Sequence, residues 1–149
     1  MKAITIHQPW ATLIALGEKE FETRKWRTNY RGPLAIHAGK KVDRDACAAY
    51  PYREVLAKHG YTADTLPTGA IVATCSLTDC LGIGKLIGGL RAMAGAGVEW
   101  ISSGSNEYHF GHYEQGRYAF KIANVTPLTE PFPAKGQQRF WNWEAPQDA

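Results

Sequence analysis

Eight consecutive residues, Gly17-Glu18-Lys19-Glu20-Phe21-Glu22-Thr23-Arg24, set an ammonium, a carboxylate and a guanidinium behind a turn glycine, in the pattern Gly-x-Lys-x-x-Glu-x-Arg. Arg24 carries a permanent charge on a planar fork that can clamp a phosphate or carboxylate bidentately. A lysine partly desolvated beside another cation sheds its proton more readily, which makes Lys19 the candidate general base. Glu22 has several uses open to it. It can pair with either cation, which keeps both charged and favours binding over catalysis; it can orient a water; or it can accept from the exocyclic amine of a cytosine edge. On a strand Glu22 and Arg24 share a face and Phe21 and Thr23 occupy the other, while Lys19 at the turn is not bound by that alternation. The same residues also read as an edge strand guarded by charges, which needs no function.

Around this stretch the basic residues crowd. Between positions 24 and 41 lie Arg24, Lys25, Arg27, Arg31, Lys40 and Lys41 with no acid among them. Residues 1–60 hold 11 basic and 6 acidic side chains, whereas residues 61–149 hold 6 and 8. A local positive field of this kind attracts phosphates and other anions, although a charge run also reads as a plain solvated face. Trp10, Trp26 and Tyr30 are candidates for stacking on a base, with core packing as the competing role. His7 and His37 are secondary candidates, and Tyr118, Lys135 and Asp79 weaker ones.

Composition narrows the classes. The chain has 149 residues with 44% hydrophobic and 21% charged side chains and a formal net charge of +3, which is ordinary for one globular domain with a closed core. Cys47, Cys75 and Cys80 make no CxxC pair or zinc-site spacing and are expected as free thiols in a reducing cytoplasm, with Cys75 and Cys80 buried in an apolar run. His109-x-x-His112 falls in a loop and is expected to hold no metal. The start of the chain lacks a signal-peptide pattern and no apolar window is long enough to span a bilayer. Serine-hydrolase, zinc-protease, P-loop and Rossmann motifs are absent.

The elements that must position these residues follow from periodicity and punctuation. Residues 3–7 read as a strand. Pro9 then opens a helix over 9–16, with Trp10, Leu13 and Ile14 on one face and Gly17 closing it. Strands are expected over 19–26 and 33–38, the second with Leu34 and Ile36 on one face and His37 on the other. Asp43 caps a helical stretch to about His59, interrupted at Pro51 and stopped by Gly60. Residues 69–81 form a central strand with Ile71, Ala73, Cys75 and Leu77 on one face. A helix is the expectation for 85–94, within a glycine-rich stretch. Another strand covers 117–128, and the proline-rich tail is expected to lie extended over the body, across a sheet edge or an open barrel end. The sum is an α+β fold, a small mixed β-barrel with short helices at its rim, in a single domain over residues 1–149.

The signature, taken with Gln8-Pro9-Trp10-Ala11 ahead of it, resembles that of the ASCH family, the activating-signal-cointegrator homology domains. Gly32-Pro33-Leu34-Ala35-Ile36-His37-Ala38, Gly69-Ala70-Ile71-Val72-Ala73, Gly116-Arg117-Tyr118-Ala119-Phe120 and Lys135-Gly136 with Phe140-Trp141 are similar to its later segments, in the same order. The resemblance implies a PUA-like β-barrel with a cleft beside the first helix, lined by the signature strand, and a role in binding RNA or nucleosides. Some members resemble amidohydrolases acting on acylated cytidine and others ribonucleases. In the amidohydrolase-like branch a threonine nucleophile stands where this chain has Glu22, so that mechanism does not carry over.

The expected function is therefore an RNA- or modified-nucleoside-binding domain with Lys19, Glu22, Arg24, Gln8, Trp10, His37 and Lys40 as its site, no cofactor and no membrane partner. The alternative is a small hydrolase, a ribonuclease or amidohydrolase, with Lys19 as base and Glu22 orienting water. A third possibility is a protein-interaction module.

Overall fold

A mixed sheet organises the computed structural model, which describes residues 1–146. The chain runs β1 (Lys2–Gln8), α1 (Trp10–Ala15), β2 (Phe21–Arg24), β3 (Gly32–Val42), α2 (Arg44–Ala48), α3 (Tyr52–Lys58), β4 (Ala70–Ile87), β5 (Leu90–Ala94), β6 (Val98–Ser102), α4 (Asn106–His109), β7 (Tyr118–Pro133) and β8 (Phe140–Asn142). The strand order is β2-β7-β4-β3-β1-β8, with β5 and β6 added as an arm on the far end of β4. Among the described residues only β1 and β3 pair in parallel. The α+β class stands.

The ladders do not close into a barrel. Among the described residues β2 and β8 are the two ends of the path, and no ladder joins them. Side chains span the interval instead. The Arg24 guanidinium reaches from β2 to the Thr5 carbonyl of β1 at 3.0 Å, and Trp26 packs edge-on to both Phe120 and Phe140 with centroids 5.0 and 5.2 Å apart.

The local signals are largely obeyed. Gly17 (φ 75°) ends α1 and Gly60 (φ 82°) follows α3, conformations that cost glycine little. Asp43 accepts from the Ala46 amide at the start of α2, and Pro51 separates α2 from α3. Pro9 stands one position ahead of the first helical residue rather than within the helix. Cys47, Cys75 and Cys80 are free and buried, and burial pushes the Cys75 thiol up to about 12.

Three expectations fail for identifiable reasons. Residues 85–94 are strand, not helix. Gly88 and Gly89, with φ of 58° and 79°, make the two-residue hairpin turn between Ile87 and Leu90, because a type I′ turn needs positive φ at both central residues. In β4 the register shifts between Ile71 and Ala73, so Ile71 joins the Ala3–Ala35–Trp141 cluster while Ala73, Cys75 and Leu77 face the main core. The prolines of the tail are part of β7 itself. Beyond Ile122 that strand has only β4 as a neighbour, and a free outer edge tolerates residues without an N–H. What lies extended over the body is residues 134–139, which lead into β8 on the edge of β1.

The main core sits between α1 and the sheet, around Ile4, Ile14, Leu34, Ile36 and Phe120, all at most 1% exposed. A second cluster under the β5–β6 arm collects Phe21, Leu81, Ile83, Met93 and Ile101. The arm is pinned by Asp79, whose carboxylate accepts from the amides of Ala96 (3.1 Å), Gly97 (3.4 Å) and Cys80 (2.8 Å). Burial alone would raise the Asp79 pKa. The three amides and Arg31 outweigh it and hold the carboxyl below its usual range. Among the described residues no helix is long and apolar enough to cross a membrane.

Candidate functional site

A cleft of about 700 Å³ opens at one end of the sheet, where β1, the start of α1 and β2 meet the segment before β8. One wall is aromatic. Trp10 and Tyr52 meet edge-on at 6.0 Å, Tyr52 packs on Phe110 at 4.9 Å, and the Trp10 indole donates to the Tyr52 hydroxyl at 3.2 Å. That hydroxyl in turn donates to the His109 carbonyl at 2.7 Å. Burial raises the Tyr52 phenol above its ordinary value, so it stays a neutral donor. The lining is also cationic: Arg24, Arg117 and Arg139 line the cleft with His7 and His112. Among the described residues the single carboxylate in the lining is Glu22.

Glu22 is already engaged. Its Oε2 accepts from Arg24 Nε at 2.9 Å and its Oε1 lies 3.7 Å from the Lys19 ammonium. Arg24 uses the same edge of its fork on the Thr5 carbonyl, so the Glu–Arg pair acts as a clasp between β2 and β1. The remaining Arg24 nitrogen, Nη1, has no protein partner among the described residues. Lys19 is only 1% exposed; it donates to the Phe21 carbonyl and does not line the cleft. Its surroundings are polar on both sides. Its charge also acts on Glu107, whose carboxylate receives the Tyr113 hydroxyl at 3.2 Å and the Glu20 amide, and whose pKa burial raises.

The other expected site residues divide. Trp10 is in the aromatic wall. Gln8 is fully buried and committed to α1: its Oε1 accepts from the Thr12 amide at 3.0 Å, and its Nε2 donates to Thr12 Oγ1 and the Pro67 carbonyl. His37 is 2% exposed, in contact with Thr5 Oγ1 at 3.1 Å and the Ala134 carbonyl at 2.7 Å, and edge-on to Trp141. Lys40 is exposed and lines a second, adjoining cavity. Thr23 reaches the cleft rim on the side away from Arg24, where its hydroxyl accepts from the His112 amide at 2.9 Å. Among the described residues no cluster of three His, Cys, Asp or Glu is placed to hold a metal, and His112 instead pairs with Glu114 at 3.0 Å.

Sequence reasoning missed Tyr52, Phe110, Arg117, Gln137, Gln138 and Arg139. They come from three separate stretches far from the signature, and no period links them. Arg139 had one visible sign, a polar Gln-Gln-Arg run inside an otherwise proline-rich and aromatic tail. It adopts positive φ (53°) and lies 5.0 Å over the Trp26 ring, which holds its charge at the cleft mouth.

Among known families, the ASCH domain matches residues 4–132 of this chain. The chain belongs to the ASCH family. This ASCH domain is similar to activating signal cointegrator 1 of Mus musculus and of Homo sapiens, each 26% identical over 145 residues. The match takes in 95% of this chain but 22% of each relative, so the chain spans about a fifth of their length. The similarity concerns the ASCH domain alone.

Proposed function

We propose that this ASCH domain binds single-stranded RNA or a modified nucleoside in the cleft between the Trp10–Tyr52–Phe110 wall and the three arginines. The carrying observation is the charge balance inside that cleft. Among the described residues its one carboxylate is neutralised by Lys19 and Arg24, leaving Arg117 and Arg139 as surplus cations in a cleft that also holds the aromatic wall. Aromatic faces that accept a base next to guanidiniums that accept a phosphate are the combination single-stranded recognition uses. The PUA-like architecture, closed by side chains where ladders stop, keeps this end of the sheet open to a ligand.

In this reading Glu22 and Arg24 are the floor and Lys19 is a positioning residue that holds Glu22 from behind. The hydrolase alternative draws on the placement of Glu22, whose carboxylate lines the cleft and could orient a water. It requires a base, and Lys19 has no face on the cleft from which to serve as one.

Fluorescence anisotropy with short RNAs, against the double variant Arg117→Gln/Arg139→Gln, tests the reading. The wild type is expected to bind with an affinity that falls as salt rises. Each phosphate contact removed should flatten the slope of log affinity against log salt by ~0.7. Unchanged affinity and slope in the variant would remove the arginines from the interface. Turnover of an acylated nucleoside or an RNA by the wild type, lost in Glu22→Gln, would shift the assignment to the hydrolase.

A further inference from the structure

The cavity next to the cleft has a construction that the cleft reading does not use. It measures about 950 Å³ and shares Thr5, His7, Gln137 and Gln138 with the cleft, so the two adjoin along one groove-like surface. Three lysines line it, Lys40, Lys41 and Lys135, and among the described residues no carboxylate does. None of the three has an ion-pair partner among the described residues.

Two adjacent lysines on a regular strand point to opposite faces. Here they do not. The β1–β3 ladder passes from Ile6↔Ala38 to Gln8↔Val42, so one residue of β1, His7, faces three of β3: Gly39, Lys40 and Lys41. The bulge puts both lysines on the surface of one cavity. Gly39 lies closely under it, since a Cβ there would come within 3.2 Å of Thr5 Cγ2 and 3.5 Å of His7 Nδ1.

Lys135 arrives from the other wall on an equally fixed backbone. The Ala134 amide donates to the Gly69 carbonyl at 3.1 Å, and the Ala134 carbonyl meets His37 at 2.7 Å. Gly136 presses on Thr5 and His37 so closely that a Cβ would stand 2.7–2.9 Å from their side chains. Buried His37 thus has a part here as the support under the 134–139 strap.

We propose that this groove is the phosphodiester track of an RNA strand whose base occupies the aromatic cleft, with Lys40, Lys41 and Lys135 each meeting a backbone phosphate. The proposal rests on the cleft reading and extends it by defining the ligand as a strand several nucleotides long rather than a free nucleoside. Three cations held on two walls, with no acid between them, repel one another unless an anion lies among them. Lysine suits this task, being a point charge that takes a phosphate from any direction and reads no base.

The experiment compares wild type with Lys40→Gln/Lys41→Gln/Lys135→Gln, using a ligand short enough for the cleft alone (a dinucleotide) and a single-stranded RNA of ten nucleotides, each from 50 to 200 mM salt. For the decanucleotide, three phosphate contacts at a slope of ~0.7 each mean that wild type loses about 20-fold more affinity over this range than the variant. Dinucleotide binding is expected to be the same for both proteins. Equal slopes for the decanucleotide would overturn the track while leaving the cleft in place. A variant that weakens the dinucleotide as much as the decanucleotide would also overturn it, by placing the lysines in the cleft's own site. No binding of either RNA by wild type would overturn the track together with the RNA reading of the cleft.

Discussion

The signature Lys19–Glu22–Arg24 and the lysines of the bulge and strap are both clusters of charge, yet the protein treats them in opposite ways. The signature is inward and internally satisfied: Lys19 is 1% and Glu22 8% exposed, and each finds its partner within the motif. Lys40, Lys41 and Lys135 are exposed, share a cavity and have no counter-charge among the described residues. A group whose hydrogen bonds and charge are already met gains little from a ligand, whereas an unneutralised cluster gains from any anion that enters. The residues most recognisable in the sequence are thus the ones that build the cleft, and those placed to hold a ligand are less conspicuous.

The sharpest way to break that contrast is Lys19→Met. It keeps most of the buried stem but leaves Glu22 with one cation, and breaking a buried pair costs about 3 kcal/mol. Urea unfolding is expected to show the loss as a lower midpoint at unchanged m. A variant as stable as wild type that had lost RNA binding would move Lys19 to the ligand. Next is Gly136→Ala, whose methyl meets Thr5 and His37 under 3 Å. Overpacking costs about 1–3 kcal/mol, and the displaced strap should weaken binding of the decanucleotide more than of the dinucleotide.

Asp79→Asn follows, as a change at a buried carboxylate that belongs to neither charge cluster. Loss of its charge-assisted bonds to the arm is expected to cost about 1–2 kcal/mol at neutral pH. Because the folded-state pKa is depressed, this stability is present above the usual aspartate pKa and is lost as pH falls through the lowered folded value. Denaturation curves of wild type and variant should therefore converge in acid and separate at neutral pH, with RNA affinity unchanged. The smallest effect belongs to Lys40→Gln alone, which should leave stability within about 0.5 kcal/mol and flatten the salt slope for long RNA by ~0.7. A large loss of stability there would mean that the bulge, not a ligand, needs the charge.

Much of the fold was legible because its signals are local. Gly17, Asp43, Pro51 and Gly60 act on their immediate neighbours, and each marks the boundary expected of it; α1, by contrast, is buried on every side, with Ile14 in the main core and Leu13 in a separate cluster. The arm was misread because glycine-rich apolar residues suit either period until a hairpin pairs them, and Gly88-Gly89 was the sign available. His37, expected outward or in the cleft, is beneath the strap, and Gln8 is spent on α1, since which buried polar atoms meet depends on chain segments that come together only in the fold.

The sequence by itself determined the family, the α+β class and the presence of a Lys–Glu–Arg motif between a helix and a strand, because these depend on residue order and spacing. Only the tertiary structure decided that the motif pairs its own charges, that side chains rather than a ladder span the interval between β2 and β1, and that Arg117, Arg139 and three lysines line two adjoining cavities. Bulges decide which way a strand's side chains point, and whether a charge is neutralised depends on what stands across from it. Both are properties of pairing between distant segments, which the order of residues along the chain does not display.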